Sequence, residues 1–63
     1  MFIFEVWDDS NEGKEDLIAT CTFNDLEKAK EYARKIITQD EEAGKNYAYF
    51  ITDEDEEVYD IWE

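Results

Sequence analysis

FNDLEKAKEYARKII, residues 23–37, decides the fold, because it alone joins a helical period to a start signal. Leu26, Ala29, Ala33, Ile36 and Ile37 recur at the i, i+3, i+4 spacing that aligns apolar side chains along one helix face. Asn24, with Glu27 three residues later, reads as a capping box: the Asn side chain accepts from a free amide and the Glu reaches back. The pattern predicts one amphipathic helix over about 25–39. Its end is placed before Asp40, Glu41 and Glu42, which the negative end of the helix dipole disfavours, although Ala43-Gly44 offers a later cap reaching Ala43.

Two strand patterns precede the helix. FIFEVW, residues 2–7, is apolar on one face and largely apolar on the other, which suits the middle of a sheet. LIATCTF, residues 17–23, sets Leu17, Ala19, Cys21 and Phe23 on one side and Ile18, Thr20 and Thr22 on the other, and the Thr pair suits a half-exposed strand. Between them DDSNEGKED, residues 8–16, contains no apolar residue, and Gly13 can supply a positive φ, so a long acidic hairpin loop is expected. After the helix, residues 45–52 and 57–62 read as two further strands, and DEDE at 53–56 as a turn of type I geometry.

Two hairpins joined by a helix predict an α+β fold of ββαββ order in a single domain, residues 1–63. The simplest arrangement is a four-stranded antiparallel sheet of strand order 2-1-3-4 with the helix packed on one face. Strand alternation directs Phe2, Phe4, Val6, Leu17, Ala19, Cys21, Phe23, Ala48, Phe50, Tyr59 and Ile61 toward the helix. It leaves Ile3, Trp7, Tyr47, Tyr49, Ile51 and Trp62 on the opposite face, among Glu5, Thr20 and Asp60. That face is too aromatic for a plain solvated surface, so either one strand is out of register or the face makes a contact.

A chain of 63 residues lies near the lower limit for a core without staples, and the 16 % aromatic content answers that shortage with large side chains. The single cysteine, Cys21, rules out an internal disulfide and is expected as a buried thiol. Met1 leads directly into the first strand pattern, with no basic or long apolar leader, so a soluble, cytoplasmic protein is expected. With no histidine to act as base and little volume for a cleft, the chain is not expected to be an enzyme. No cofactor or metal site is expected either. Asp8, Ser10, Glu12, Gly13 and Asp16 match several positions of a calcium loop, but Ala19 occupies the place of the bidentate Glu and strands flank the segment.

Charge is the most informative property. The chain carries 19 acids and 6 bases, a net charge of −13. Residues 25–39 hold three of those acids (Asp25, Glu27, Glu31) and four of the bases (Lys28, Lys30, Arg34, Lys35), so this stretch carries +1 and the remainder −14. Solubility needs a magnitude of only about 2–8, and further charge costs stability through self-repulsion. A salt-adapted protein would spread its acids over the helix as well. A domain of this size has a diameter of roughly 27 Å, and duplex DNA of that length carries about 16 phosphates. The net charge of the protein is thus comparable to that of the duplex segment it could replace.

In size, acidity, lack of histidine chemistry and one-helix sheet, the chain resembles the small phage-encoded DNA-mimic inhibitors, among them anti-CRISPR proteins, anti-restriction proteins and uracil-DNA glycosylase inhibitors. The resemblance is one of character, without a shared motif. It implies a basic, DNA-binding partner, such as a CRISPR effector or another defence nuclease, with neither nucleic acid nor membrane bound directly. The candidate partner-binding residues are Asp8, Asp9, Glu12, Asp16, Asp53, Glu54, Asp55, Glu56 and Glu57, with Trp7, Tyr49 and Trp62 as aromatic anchors. An acidic immunity protein or antitoxin that neutralises a basic toxin fits the same charge, and a homodimer through the open sheet face fits its aromatics.

Overall fold

The computed structural model describes residues 1–11 and 14–63, with side chains described outside residues 9–15. Four strands and a helix follow the order β1 (Phe2–Asn11), β2 (Lys14–Phe23), α1 (Leu26–Glu42), β3 (Ala48–Thr52) and β4 (Val58–Tyr59). The sheet order is β2-β1-β3-β4, every neighbouring pair is antiparallel, and α1 packs on one face, as expected for the α+β reading.

The helix begins one residue later than the capping-box reading placed it. Asp25, not Asn24, is the N-cap: its main chain is extended (φ −128°, ψ 126°) and its Oδ1 accepts from the Glu27 amide at 2.8 Å. Glu27 therefore lies one position too early to reach back. At the other end the helix passes 39 and runs to Glu42, although no base lies in its last turn. A glycine cap outweighs the dipole there. Gly44 takes φ +76°, its amide donates to the Glu41 carbonyl (3.1 Å), and the Lys45 amide donates to the Asp40 carbonyl (2.8 Å).

The core is small. Ala29 and Ala33, both wholly buried, let α1 approach the sheet closely, and Phe4, Val6, Ile37, Ile51 and Ile61 fill the space around them. Rings extend this core sideways: Tyr32 meets Phe4 edge-on (5.7 Å) and Phe23 at a tilt (5.4 Å), Tyr49 stacks on Phe4 (6.3 Å), and Phe2 meets Tyr59 edge-on (5.5 Å).

Several expectations about the sheet are corrected. Strands β1 and β2 continue through much of the segment read as loop, pairing Asp8 with Asp16 and Asn11 with Lys14. Residues 8–16 are polar throughout, so no apolar alternation marks a strand there. The turn expected at Gly13 lies outside the described residues. Next, a bulge at Ile18 sets Val6 opposite Ala19 but Trp7 opposite Leu17, so Leu17 joins Trp7 on the open face and is 47 % exposed.

The third correction is to β3, whose register is one residue off the alternation assumed. Glu5 faces Phe50 and Phe4 faces Ile51, so Tyr49 and Ile51 turn to the helix while Ala48 and Phe50 turn away. Tyr47, also assigned to the open face, packs against the core. Residues 47–51 are apolar throughout, so alternation does not mark their inner face. Chemistry decides it: the Tyr49 hydroxyl reaches Asp40 Oδ2 in the last turns of α1 (2.7 Å), a bond phenylalanine cannot make. Strand β4 is also much shorter than the 57–62 expected. Cys21, expected to be buried, is half-buried, because β2 is an edge strand less covered by the helix.

Candidate functional site

The acidic turn between β3 and β4 is built on Asp53. Its Oδ1 accepts from the amides of Asp55 (2.9 Å) and Glu57 (3.0 Å), and its Oδ2 from the Tyr59 hydroxyl (2.6 Å). The main chain closes with the Glu56 amide on the Asp53 carbonyl (3.1 Å), the i to i+3 bond of the expected turn, and with the Asp53 amide on the Glu57 carbonyl (3.2 Å). Glu56 follows in the left-handed region at φ 62°. The hydrogen bond from Tyr59, then those from the Glu57 and Asp55 amides, hold the Asp53 carboxyl below its ordinary value of 3.8. The same bond, with burial second, pushes the Tyr59 phenol up to about 12.

Asp53 thus shapes the turn, and the remaining acids are what it displays. Glu54, Asp55, Glu56 and Glu57 are exposed, and Glu54 Oε1 lies 3.0 Å from the Met1 amino nitrogen. Pairs this exposed contribute little stability. Five consecutive residues in one turn therefore divide into one scaffold carboxylate and four surface ones.

Strand order sets the other acids apart from these. Thr52 pairs with Ile3, at the start of β1, whereas Asp8 and its partner Asp16 lie five residues further along β1. That separation is about 17 Å at ~3.4 Å per residue. The acidic groups therefore flank the sheet from opposite ends and do not form one patch. The Asp9 side chain and all of Glu12 lie outside the described residues.

The three proposed anchors also part. Trp7 lies half-buried on the open face, where its cross-strand neighbours are Leu17 and Ala48. Tyr49 faces the helix, and burial first, then its bond to Asp40, holds its phenol well above the ordinary range. Trp62 is 61 % exposed on the C-terminal segment, with the Arg34 guanidinium 5.9 Å from its ring centre. What the alternation pattern missed is the apolar content beside Trp7: Leu17 and Phe50 join Ile3 and Val58 on the open face. The signal for Phe50 was the uniform hydrophobicity of residues 47–51, which leaves both registers open.

Two of the four helix bases are engaged locally. Arg34 Nε donates to the Ile61 carbonyl (2.8 Å) and Lys30 Nζ to the Glu63 main-chain oxygen (2.7 Å). Both bonds hold the C-terminal segment to α1, and neither neutralises a side-chain carboxylate. Among the described residues no helix is long and apolar enough to cross a membrane.

Compared with known proteins, the chain matches no family model, no curated protein and no solved structure.

Proposed function

We propose that this protein is a small acidic inhibitor, phage-encoded and acting in the host cytoplasm, that occupies the DNA-binding site of a bacterial defence complex in the manner of an anti-CRISPR protein. It works by occupancy, without catalysis or cofactor. The observation that carries this reading is the placement of charge: Lys30 and Arg34 are tied to main-chain oxygens of the C-terminal segment, while Asp8 and Asp16 stand at one end of the sheet and Glu54, Asp55, Glu56 and Glu57 at the other. The acidic turn beyond Thr52 and the Asp8–Asp16 pair stand more than about 17 Å apart along the sheet, so a partner is met by two separate acidic groups. The partner supplies the Lys and Arg that otherwise hold phosphates.

The test is displacement of labelled target duplex from a guide-loaded CRISPR effector. Asp53 must be kept, because its loss dismantles the turn. The informative variant is Glu54→Lys/Asp55→Lys/Glu57→Lys, which is expected to lose displacement while keeping the wild-type circular dichroism. Lys28→Gln/Lys35→Gln is expected to displace DNA as well as wild type does. Displacement by the triple variant equal to wild type sinks the reading.

The exposed apolar residues of the open face favour a second reading, a homodimer through that face. Sedimentation at two protein concentrations separates it from a monomeric inhibitor.

A further inference from the structure

Strand β3 has an edge that β4 leaves unfinished. The hydrogen bond from the Asp53 amide to the Glu57 carbonyl identifies residues 53 and 57 as a hydrogen-bonded pair. Antiparallel alternation then makes Thr52 and Val58 a non-bonded pair and Ile51 and Tyr59 a bonded one. The next main-chain groups directed to that side belong to Tyr49. Strand β4 stops at Tyr59, so among the described residues no strand meets them.

The departure of the chain is built into the residues that follow. The Asp60 carboxylate accepts from the Trp62 amide (2.9 Å), the local bend of an Asx turn. Ile61 drops into the core and its carbonyl is held by Arg34. Between the diverging segments lies an open groove of about 510 Å³. Its walls include Tyr47, Phe50 and Trp62, its charged lining Glu41, Asp60 and Lys45, and Lys45 is placed over the Tyr47 ring at 6.0 Å.

We propose that this groove takes an extended, lysine- or arginine-bearing segment of a partner protein, which adds to the sheet as a strand along β3 in the place β4 vacates. Main-chain bonds to the outer edge at Tyr49 supply registration, as in strand addition elsewhere. Phe50 and Trp62, both exposed, offer apolar surface to alternate side chains of the segment, and Glu41 and Asp60 pair with its bases. A chain of net charge −13 selects a basic segment over an acidic one. The groove itself owes nothing to the DNA-occupying reading; only the expectation of a basic partner is shared with it.

The experiment titrates isotope-labelled protein with a peptide of alternating lysine and valine, followed by amide chemical shifts and hydrogen exchange. A second peptide of the same sequence carries methyl groups on the backbone nitrogens of one edge, which removes strand pairing and keeps the charge. The expected result is shift changes centred on Tyr47, Tyr49, Phe50 and Trp62, slowed exchange at Tyr49, and affinity for the methylated peptide lower by about tenfold or more. Equal affinity for the two peptides, or shifts centred on residues 53–57, reduces binding to charge attraction and overturns the proposal. Shifts centred on Ile3, Trp7 and Leu17 with a doubled mass overturn it in favour of self-association. Duplex displacement is read separately, so either conclusion can fail while the other stands.

Discussion

The two hairpins reach the same sheet by different means. Strands β1 and β2 are ten residues each and pair along most of their length, so the main-chain ladder carries polar residues such as Asp8 and Asp16 into strand conformation. Strand β4 has two residues, and its hairpin is held at the turn by a carboxylate with three donors. A long ladder tolerates unfavourable sequence at its far end, whereas a short one needs a side-chain clamp where the chain reverses. The hairpins meet where β1 pairs with β3, and the helix alanines seal that junction.

The largest effect is expected at the junction. Phe4 lies within β1, where its ring sits between Tyr32 and Tyr49 and is 2 % exposed. Phe4→Ala should cost on the order of 3–5 kcal/mol, comparable to the whole stability of a small domain. Urea unfolding that leaves Phe4→Ala within about 1 kcal/mol of wild type would show that the hairpins do not depend on this contact.

A change at Asp53 should break one hairpin and spare the other. In Asp53→Ala, amide exchange is expected to accelerate across residues 54–59 with little change along β1 and β2. The pH dependence has a definite sign. Because the folded Asp53 pKa is lowered, its contribution is present above the ordinary 3.8 and is lost as pH falls through the folded value. Because the Tyr59 pKa is raised, the same bond is present below the ordinary 10.0 and is lost as pH rises from there through about 12. Protection of the turn amides, taken relative to the unstructured-chain exchange rate at the same pH, should therefore fall at both extremes in wild type, while that of Asp53→Ala should lack both limbs. A variant profile that keeps them would assign the dependence to other groups.

Glu56→Gly sharpens the comparison in the opposite direction. A left-handed residue other than glycine costs about 1–2 kcal/mol, so relief at φ 62° should stabilise the clamped hairpin by about 1 kcal/mol, offset in part by unfolded-state entropy. A lower melting temperature for this variant would show that the Glu56 side chain compensates for its backbone.

The smallest change is expected at Leu17. If the bulge at Ile18 holds Leu17 on the open face, Leu17→Ala should change stability by only about 0.5 kcal/mol. Unbroken alternation would bury it, and the same substitution would then cost about 2–5 kcal/mol. Thermal melts separate these outcomes clearly.

Much of the fold was legible because its signals are local. The period of Ala29, Ala33 and Ile37, the turn chemistry of residues 53–56 and the apolar first strand sufficed for the element order, the sheet order and the helix face. The acidic surface of the last turn was legible too, since four charged residues after a strand have few places but water. Asp53 was read with them, because composition does not reveal that a carboxylate two and four residues before free amides will accept from both.

By itself, then, the sequence determined that one helix and four strands form, how they are ordered, and that most of the surplus charge lies away from the helix, although α1 takes in Asp40, Glu41 and Glu42 and so holds five acids to four bases. Those properties depend on neighbours a few residues apart, whose geometry the backbone dictates. Tertiary structure alone decided which side of β3 faces the helix, that Leu17 crosses to the open face, that the two acidic ends lie apart, and that β4 stops short beside an unpaired edge. Each of these is a choice between registers or directions of nearly equal local merit. It is settled by contacts distant in sequence, such as Tyr49 with Asp40 across the core and Arg34 with the Ile61 carbonyl at the edge of the sheet.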